Sequence, residues 1–186
     1  AYGALYPRFS QKQYTELCEM FEIPESTRLG TLSMGEKKKF LLAFGVATGA
    51  RLLILDEPTN GLDIPAKKMF RQVVARLADE DRLVIISTHQ VRDVESLIDP
   101  VIIIDGGRVL LNATLEEVGT TLHHSRENEP PKGDDLLWSQ EVLGGYEVVR
   151  INRSGAESAM DLETLFIALT ADRAKTTALF SKGGAR

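Results

Sequence analysis

Two acidic side chains directly follow a short apolar strand. Residues 52–55 are all apolar and predict a strand that is buried on both faces, and Asp56 and Glu57 come next, ahead of Pro58. Adjacent carboxylates repel each other, so they indicate a cation nearby or a proton-transfer task. Because side chains alternate along a strand, we expect Asp56 to hold Mg²⁺ and Glu57 to face an attacking water. The alternative is a solvated strand end without chemistry.

A histidine lies at the end of the next apolar strand. Residues 83–86 predict that strand, and the sequence Ser-Thr-His follows at 87–89. The carboxyl ends of parallel strands meet at one edge of a sheet, so His89 is expected near the two carboxylates. There it can hydrogen-bond a phosphoryl oxygen and orient the attacking water. A histidine with a purely structural role is the alternative.

Residues 32–36, Leu-Ser-Met-Gly-Glu, form a turn that opens directly into a helix. The free N–H groups and the positive end of the helix dipole favour an anion at such a place. Gly35 would let the anion approach the backbone, and Ser33 could donate its hydroxyl. The competing interpretation is a capping box between Ser33 and Glu36, which taken alone is the more common case.

Strands and helices alternate around these residues. Ser10 predicts the start of a helix that Pro24 stops, and a second helix opens near Gly35. Asp63, at the end of the turn Asn60–Asp63, caps a helix over the apolar positions 69–77. Further elements are predicted at 91–98 (helix), 101–104 and 108–111 (a hairpin through Gly106-Gly107), 114 onward (a short helix), 138–151 (two strands) and 161–169 (a helix). The pattern predicts an α/β fold with a mostly parallel sheet.

The second helix is predicted to turn one face inward. Its inward positions are Phe40, Leu41, Phe44 and Ala47. Residues 122–135 are polar, with a Pro pair and a Gly, and predict a linker. The predicted domains are therefore 1–121, the linker 122–135, and a small C-terminal α+β appendage at 136–186.

Composition limits the classes of protein that this chain can represent. It has 186 residues, with 22 Lys plus Arg against 27 Asp plus Glu, for a net charge of −5. A mildly acidic chain is poorly suited to clamping a nucleic-acid backbone. The single cysteine, Cys18, predicts a reducing compartment, and no apolar run reaches the ~20 residues that would span a bilayer.

The four motifs, in this order and spacing, resemble the ATP-binding cassette (ABC) family. The matching segments are the signature (32–36), the Walker B strand with its glutamate (52–59), the D-loop (60–63) and the switch histidine (His89). The usual signature is Leu-Ser-Gly-Gly-Gln, so Met34 and Glu36 depart from it. No Gly-x-x-x-x-Gly-Lys-Ser/Thr loop (Walker A) occurs in the chain. The resemblance thus implies the C-terminal part of a cassette: a P-loop NTPase (RecA-like) core fragment with part of the helical subdomain.

The resemblance also implies roles for the motif residues. Glu57 and His89 would be catalytic, and Asp56 would bind Mg²⁺. The residues implied in ATP binding are Ser33, Met34, Gly35, Glu36 and Asp63. Of these, Ser33 and Gly35 would act across a dimer of two cassettes on the γ-phosphate, and Asp63 would contact the partner cassette.

By the same resemblance, the protein would be an ATPase subunit of a bacterial exporter-type ABC transporter, with ATP and Mg²⁺ as cofactors. Its partners would be a second cassette and a transmembrane permease, which would hold it at the cytoplasmic face of the membrane. Direct nucleic-acid binding is not expected. Two other hypotheses remain open: a soluble ABC-family ATPase that acts on nucleic acid or ribosomes, and a non-enzymic interaction module.

Overall fold

The computed structural model describes residues 5–24, 28–78 and 82–180. The chain divides into two compact units, residues 1–97 and 98–186. In the described parts, no helix is long and apolar enough to cross a membrane. The three-part domain division at 121 and 135 stays a prediction.

The first unit begins with two capped helices that pack on each other, α1 (Gln11–Met20) and α2 (Met34–Ala47). The Ser10 hydroxyl accepts a hydrogen bond from the Gln13 N–H at 3.2 Å, which confirms the predicted start of α1. The predicted inner face of α2 is partly wrong. The buried positions are Leu42, Ala43, Val46 and Ala47, whereas Leu41 is 64% exposed. Phe40 and Phe44 instead form a half-buried aromatic cluster with Tyr14 of α1.

A parallel pair of strands follows, β1 (Leu52–Asp56) and β2 (Leu83–Ser87), connected through α3 (Ile64–Ala78). The helix packs against β2 with its apolar stripe buried, as its spacing predicted. Burial of the strands on both faces was wrong. Leu52, Ile54, Leu83 and Ile85 share one face and are between 47% and 66% exposed. Among the described residues of this unit, no element covers that face.

The helix predicted at 91–98 was also wrong. That segment forms two short 3₁₀ turns, Val91–Asp93 and Glu95–Leu97. Val94 between them is fully buried, and Asp93 forms an ion pair with Lys67 of α3 at 2.7 Å. The ion pair joins the first turn to α3, and the second turn also packs against α3.

The second unit starts with the predicted hairpin, β3 (Val101–Asp105) and β4 (Arg108–Ala113). Gly106 and Gly107 both have positive φ, of 55° and 73°, as a two-residue hairpin turn requires. The helix α4 (Leu115–Thr121) follows, capped by Thr114 as the sequence predicted. The hairpin β3–β4 is a two-stranded sheet of its own, as is the pair β1–β2.

A three-stranded antiparallel sheet forms the rest of this unit, in the order β5-β7-β6. Its strands are β5 (Leu122–Glu127), β6 (Leu136–Val142) and β7 (Gly145–Ile151). The prediction of a linker over 122–135 was therefore wrong for residues 122–127. Arg150 of β7 explains the difference, because its guanidinium binds Glu127 at 2.9 Å and Asp135 at 3.3 Å. These ion pairs stabilise a mostly polar strand that is paired with β7 through its backbone.

Two helices end the described chain, α5 (Leu162–Ala171) and α6 (Arg173–Phe180). The Asp161 carboxylate accepts a hydrogen bond from the Thr164 N–H at 2.9 Å, so the predicted cap of α5 is confirmed. α5 packs on β6 and α6 packs on β4.

Candidate functional site

Parallel pairing brings the ends of β1 and β2 to one edge. Asp56 is opposite Ser87 in the register, and the Ser87 hydroxyl donates to the Asp56 carboxylate at 2.5 Å. The polar residues that follow each apolar strand therefore lie side by side. This is the juxtaposition that the two separate sequence motifs predicted.

Glu57 occupies a sharp turn immediately after β1. Its φ is 45°, in the left-handed region that residues other than glycine rarely adopt. The Glu57 N–H donates to the Ser87 carbonyl at 2.8 Å, so the turn begins while still attached to β2. Pro58 follows and cannot continue the strand. Backbone conformations of this kind cluster at functional sites.

The Glu57 carboxylate is held by the loop that follows β2. Oε1 accepts from the His89 N–H at 3.0 Å and lies 2.7 Å from His89 Nδ1, and Oε2 accepts from the Thr88 hydroxyl at 3.3 Å. Partial burial raises the pKa of Glu57, but the hydrogen bonds from His89 and Thr88 outweigh it and lower this pKa overall. Since an ionised carboxylate only accepts, the proton between the two residues is on His89 Nδ1.

Asp56 is suited to Mg²⁺ that arrives with a phosphate ligand. Its side chain is exposed at the sheet edge. The described residues contain no group of three or more His, Cys, Asp or Glu that could hold a metal by themselves. Mg²⁺ commonly takes one or two protein carboxylates and completes its shell with waters and substrate phosphates. One exposed carboxylate beside a serine hydroxyl fits that mode of binding.

The signature residues form a capping box at the start of α2. The Ser33 hydroxyl accepts from the Glu36 N–H at 3.3 Å, and the Glu36 carboxylate accepts from the Ser33 N–H at 2.8 Å. These hydrogen bonds with Ser33 lower the pKa of Glu36. Ser33 and Met34 are both exposed. The hydroxyl hydrogen of Ser33 is not used in the box and remains able to donate to a ligand.

The D-loop lies against the start of α2. A Cβ on Gly35 would lie 3.1 Å from the Gly61 carbonyl, so a larger residue at this position would crowd the D-loop. Asp63 takes part in a separate interaction, because its carboxylate caps α3 by accepting from the Ala66 N–H at 2.8 Å. The structure thus brings Asp56, Glu57 and His89 together and leaves Asp63 as a helix cap.

Two residues at this site were missed by the sequence analysis. Thr88 was part of a noted motif without a role, and Lys38 was not considered at all. The Lys38 ammonium donates to the Glu57 carbonyl at 2.5 Å, across 19 positions of the chain. No local pattern marks such a contact, since it depends on how α2 packs beside the turn.

Comparison with known proteins shows which proteins this chain is similar to. Residues 25–92 match the family model described as "AAA domain, putative AbiEii toxin, Type IV TA system", which is less than half of the chain. The "Uncharacterized ABC transporter ATP-binding protein YdbJ" of Bacillus subtilis (strain 168) is 30% identical over 74% of this chain. The chain is thus similar to ABC transporter ATP-binding proteins.

Two more comparisons agree with this relationship. "ABC transporter ATP-binding protein YtrB" of the same organism is 33% identical over 50% of this chain and 32% of its own length. The solved "Structure of ATP binding subunit of ABC transporter" matches 62% of this chain and 51% of that chain, at a TM-score of 0.56 and 25% identity. The predicted fold class, a P-loop NTPase cassette of the ABC type, is thereby confirmed.

The chain spans less than half the length of the curated relatives it matches. It covers 46% of the YdbJ protein and 32% of the YtrB protein. The similarity therefore extends over only part of each of these relatives.

Proposed function

We propose that this chain belongs to the ATP-binding subunit of an ABC transporter, which hydrolyses ATP to drive transport across a membrane. The observation that carries the proposal is the Glu57 carboxylate, ionised and fastened by Thr88 and His89 beside the exposed Asp56. A fixed base next to a cation ligand is the arrangement that phosphoryl transfer to water requires.

The remaining acceptor position on Glu57 is where the attacking water would bind. A carboxylate oxygen has two lone pairs, and both on Oε1 are engaged by His89. Oε2 accepts from Thr88 alone among the hydrogen bonds described here, which leaves one lone pair. A water held there would be oriented by Glu57 as general base.

Asp56 would hold Mg²⁺ together with the phosphates of ATP. When bound, the ion neutralises charge that develops on the transferred phosphoryl group. His89 would hydrogen-bond the γ-phosphate through Nε2. Because Nδ1 already donates to Glu57, Nε2 carries a hydrogen only when the ring is an imidazolium.

The partners in this proposal are a second cassette and a transmembrane permease. Ser33, Met34, Gly35 and Glu36 would meet the nucleotide of the second cassette, and Asp63 would contact its surface. The exposure of Ser33 and Met34 supports this, because side chains at a future interface must be accessible in the single subunit. The permease would place the subunit at the cytoplasmic face of the membrane, in an exporter-type transporter.

Replacement of Glu57 by Gln in the full-length protein tests the proposal. The amide keeps the shape but cannot act as a base, so we expect the ATPase rate to fall about 10²–10⁴-fold while ATP still binds. Steady-state hydrolysis and nucleotide binding are the measurements. Glu116→Gln, an exposed change on α4, is the control and should hydrolyse at the wild-type rate. A Glu57→Gln variant with wild-type turnover would contradict the proposal.

A further inference from the structure

Lys38 connects the helix that begins with the signature to the turn that carries Glu57. It is half-buried on α2, and its ammonium donates to the Glu57 carbonyl at 2.5 Å. Its neighbour Lys37 is exposed. Lys39 is half-buried as well, so what distinguishes Lys38 is its hydrogen bond to the Glu57 carbonyl.

The carbonyl that Lys38 holds belongs to the strained residue of the site. Glu57 has φ of 45°, and this conformation persists only where the surroundings impose it. On the N-terminal side, its N–H is bound to the Ser87 carbonyl at 2.8 Å. On the C-terminal side, the ammonium of Lys38 orients the next peptide group. The two bonds together define the backbone from which the Glu57 side chain projects toward Thr88 and His89.

A second contact between the same elements supports this connection. Gly35 lies one turn before Lys38, on the same face of α2. That glycine approaches the Gly61 carbonyl so closely that a Cβ would lie 3.1 Å from it. The start of α2 therefore contacts the loop after β1 at two places, at Glu57 through Lys38 and at Gly61 through Gly35.

We propose that Lys38 is a positioning residue for Glu57, because it maintains the left-handed turn that orients the Glu57 carboxylate. The orientation of that carboxylate then depends on the position of α2, the helix that begins with the signature. This inference rests on the proposed ATPase function. A shift of α2 when the signature engages a ligand would be transmitted to Glu57 through the ammonium–carbonyl bond. Lys38 itself need not touch the substrate.

Kinetics of the full-length protein test the positioning role. We expect Lys38→Met to lower kcat between about tenfold and a hundredfold with little change in the KM for ATP, because a misplaced base slows chemistry more than binding. Lys38→Arg, which keeps a donor, should recover part of the rate. Lys37→Met is the matched control and should resemble the wild type. Equal rates for Lys38→Met and Lys37→Met would overturn the proposal.

A double-mutant cycle separates positioning from a general loss of structure. In a Glu57→Gln background there is no base left to aim, so Lys38→Met should lower the residual rate by less than about twofold. A loss as large as in the wild-type background would overturn the proposal. Thermal unfolding of each variant verifies that the protein is folded when the rates are compared.

A structural measurement tests the role of Lys38 independently of ATPase activity. In crystal structures of the full-length protein, Glu57 should keep its positive φ in the wild type and in Lys38→Arg, and lose it in Lys38→Met. Retention of the left-handed turn in Lys38→Met would overturn the role of Lys38, whatever the protein hydrolyses. A wild-type protein with this turn but without ATPase activity would instead count against the proposed function alone.

Discussion

Ser33 takes part in a local cap and remains open to a ligand. Its hydroxyl oxygen and backbone N–H are both bonded to Glu36, yet the side chain lies on the surface. The two interpretations of the signature, a capping box and an anion site, are therefore compatible in one residue. Glu36 is the residue that complicates the second, because its ionised carboxylate adds negative charge where a phosphate would approach.

A large cation at Ser33 should block the proposed dimer without unfolding the subunit. Ser33→Arg removes one side-chain cap, which lowers the free energy of unfolding by about 1 kcal/mol. The arginine side chain itself projects into solvent in the single subunit, so the subunit stays folded. Between two cassettes the arginine would clash with the nucleotide of the partner. The measurement is gel filtration of the ATP-bound Glu57→Gln protein with and without Ser33→Arg.

Thr114→Arg is the matched control for that experiment. It removes the corresponding capping box at the start of α4, where Thr114 pairs with Glu117. We expect the control to dimerise as the Glu57→Gln parent does. If Ser33→Arg also dimerised to the same extent, the signature role would not belong to this serine.

At the scale of elements, capping residues determined where helices begin. Ser10, Ser33, Thr114 and Asp161 each accept a hydrogen bond from the N–H three positions ahead. These interactions are local, so sequence spacing alone predicts them. Apolar spacing was less reliable at 91–98, where two short 3₁₀ turns form on either side of the buried Val94.

The cap of α5 gives a prediction with a defined pH dependence. Partial burial raises the pKa of Asp161, but hydrogen bonds from the first turn of α5 outweigh it and leave the pKa below 3.8. Asp161→Ala should destabilise the start of α5 by about 1 kcal/mol. Amide exchange at Thr164 should then be about fivefold faster, because that free energy is a factor of about five.

The neutral variant Asp161→Asn isolates the contribution of the charge. A carboxyl whose pKa is lowered by folding stabilises the protein above its unfolded pKa, and this contribution is lost as the pH falls through the folded value. The Tm difference between the wild type and Asp161→Asn should therefore shrink as the pH drops below about 4. A difference that is constant from pH 7 to pH 3 would contradict an ionised cap.

Strands β1, β2 and β3 have the composition of buried strands, yet each has apolar side chains that are exposed among the described residues. Those of β1 and β2 share one face, and in the second unit Ile102 and Ile104 of β3 are 58% and 63% exposed. Exposed apolar area of this kind marks a surface that another part of a structure normally covers.

The 186-residue chain by itself should bind MgATP weakly or not at all. The N–H groups and Lys of a Walker A loop provide most of the hold on a triphosphate, and the sequence contains no such loop. Asp56 and Glu57 alone would repel it. Isothermal titration with MgATP is the measurement, with the full-length protein as the positive control. Micromolar binding by this chain would show that its own residues suffice.

The resemblance to ABC ATP-binding proteins, the order of the motifs and most of the elements could be predicted from the sequence. These features depend on residues close in the chain: an apolar run before two acids, a capping residue before a helix, a pair of glycines between strands. The pairing of Asp56 with Ser87 and of Glu57 with His89 could also be anticipated, since parallel strands bring their carboxyl ends to one edge.

Only the tertiary structure decided the contacts made by packing. Lys38 reaches the Glu57 carbonyl because α2 lies beside the turn after β1, and Arg150 binds Glu127 and Asp135 because β7 pairs with β5. The same holds for the left-handed conformation of Glu57, which no residue preference predicts. Each depends on groups far apart in the chain, whose approach is determined by how whole elements pack and by no spacing within one element.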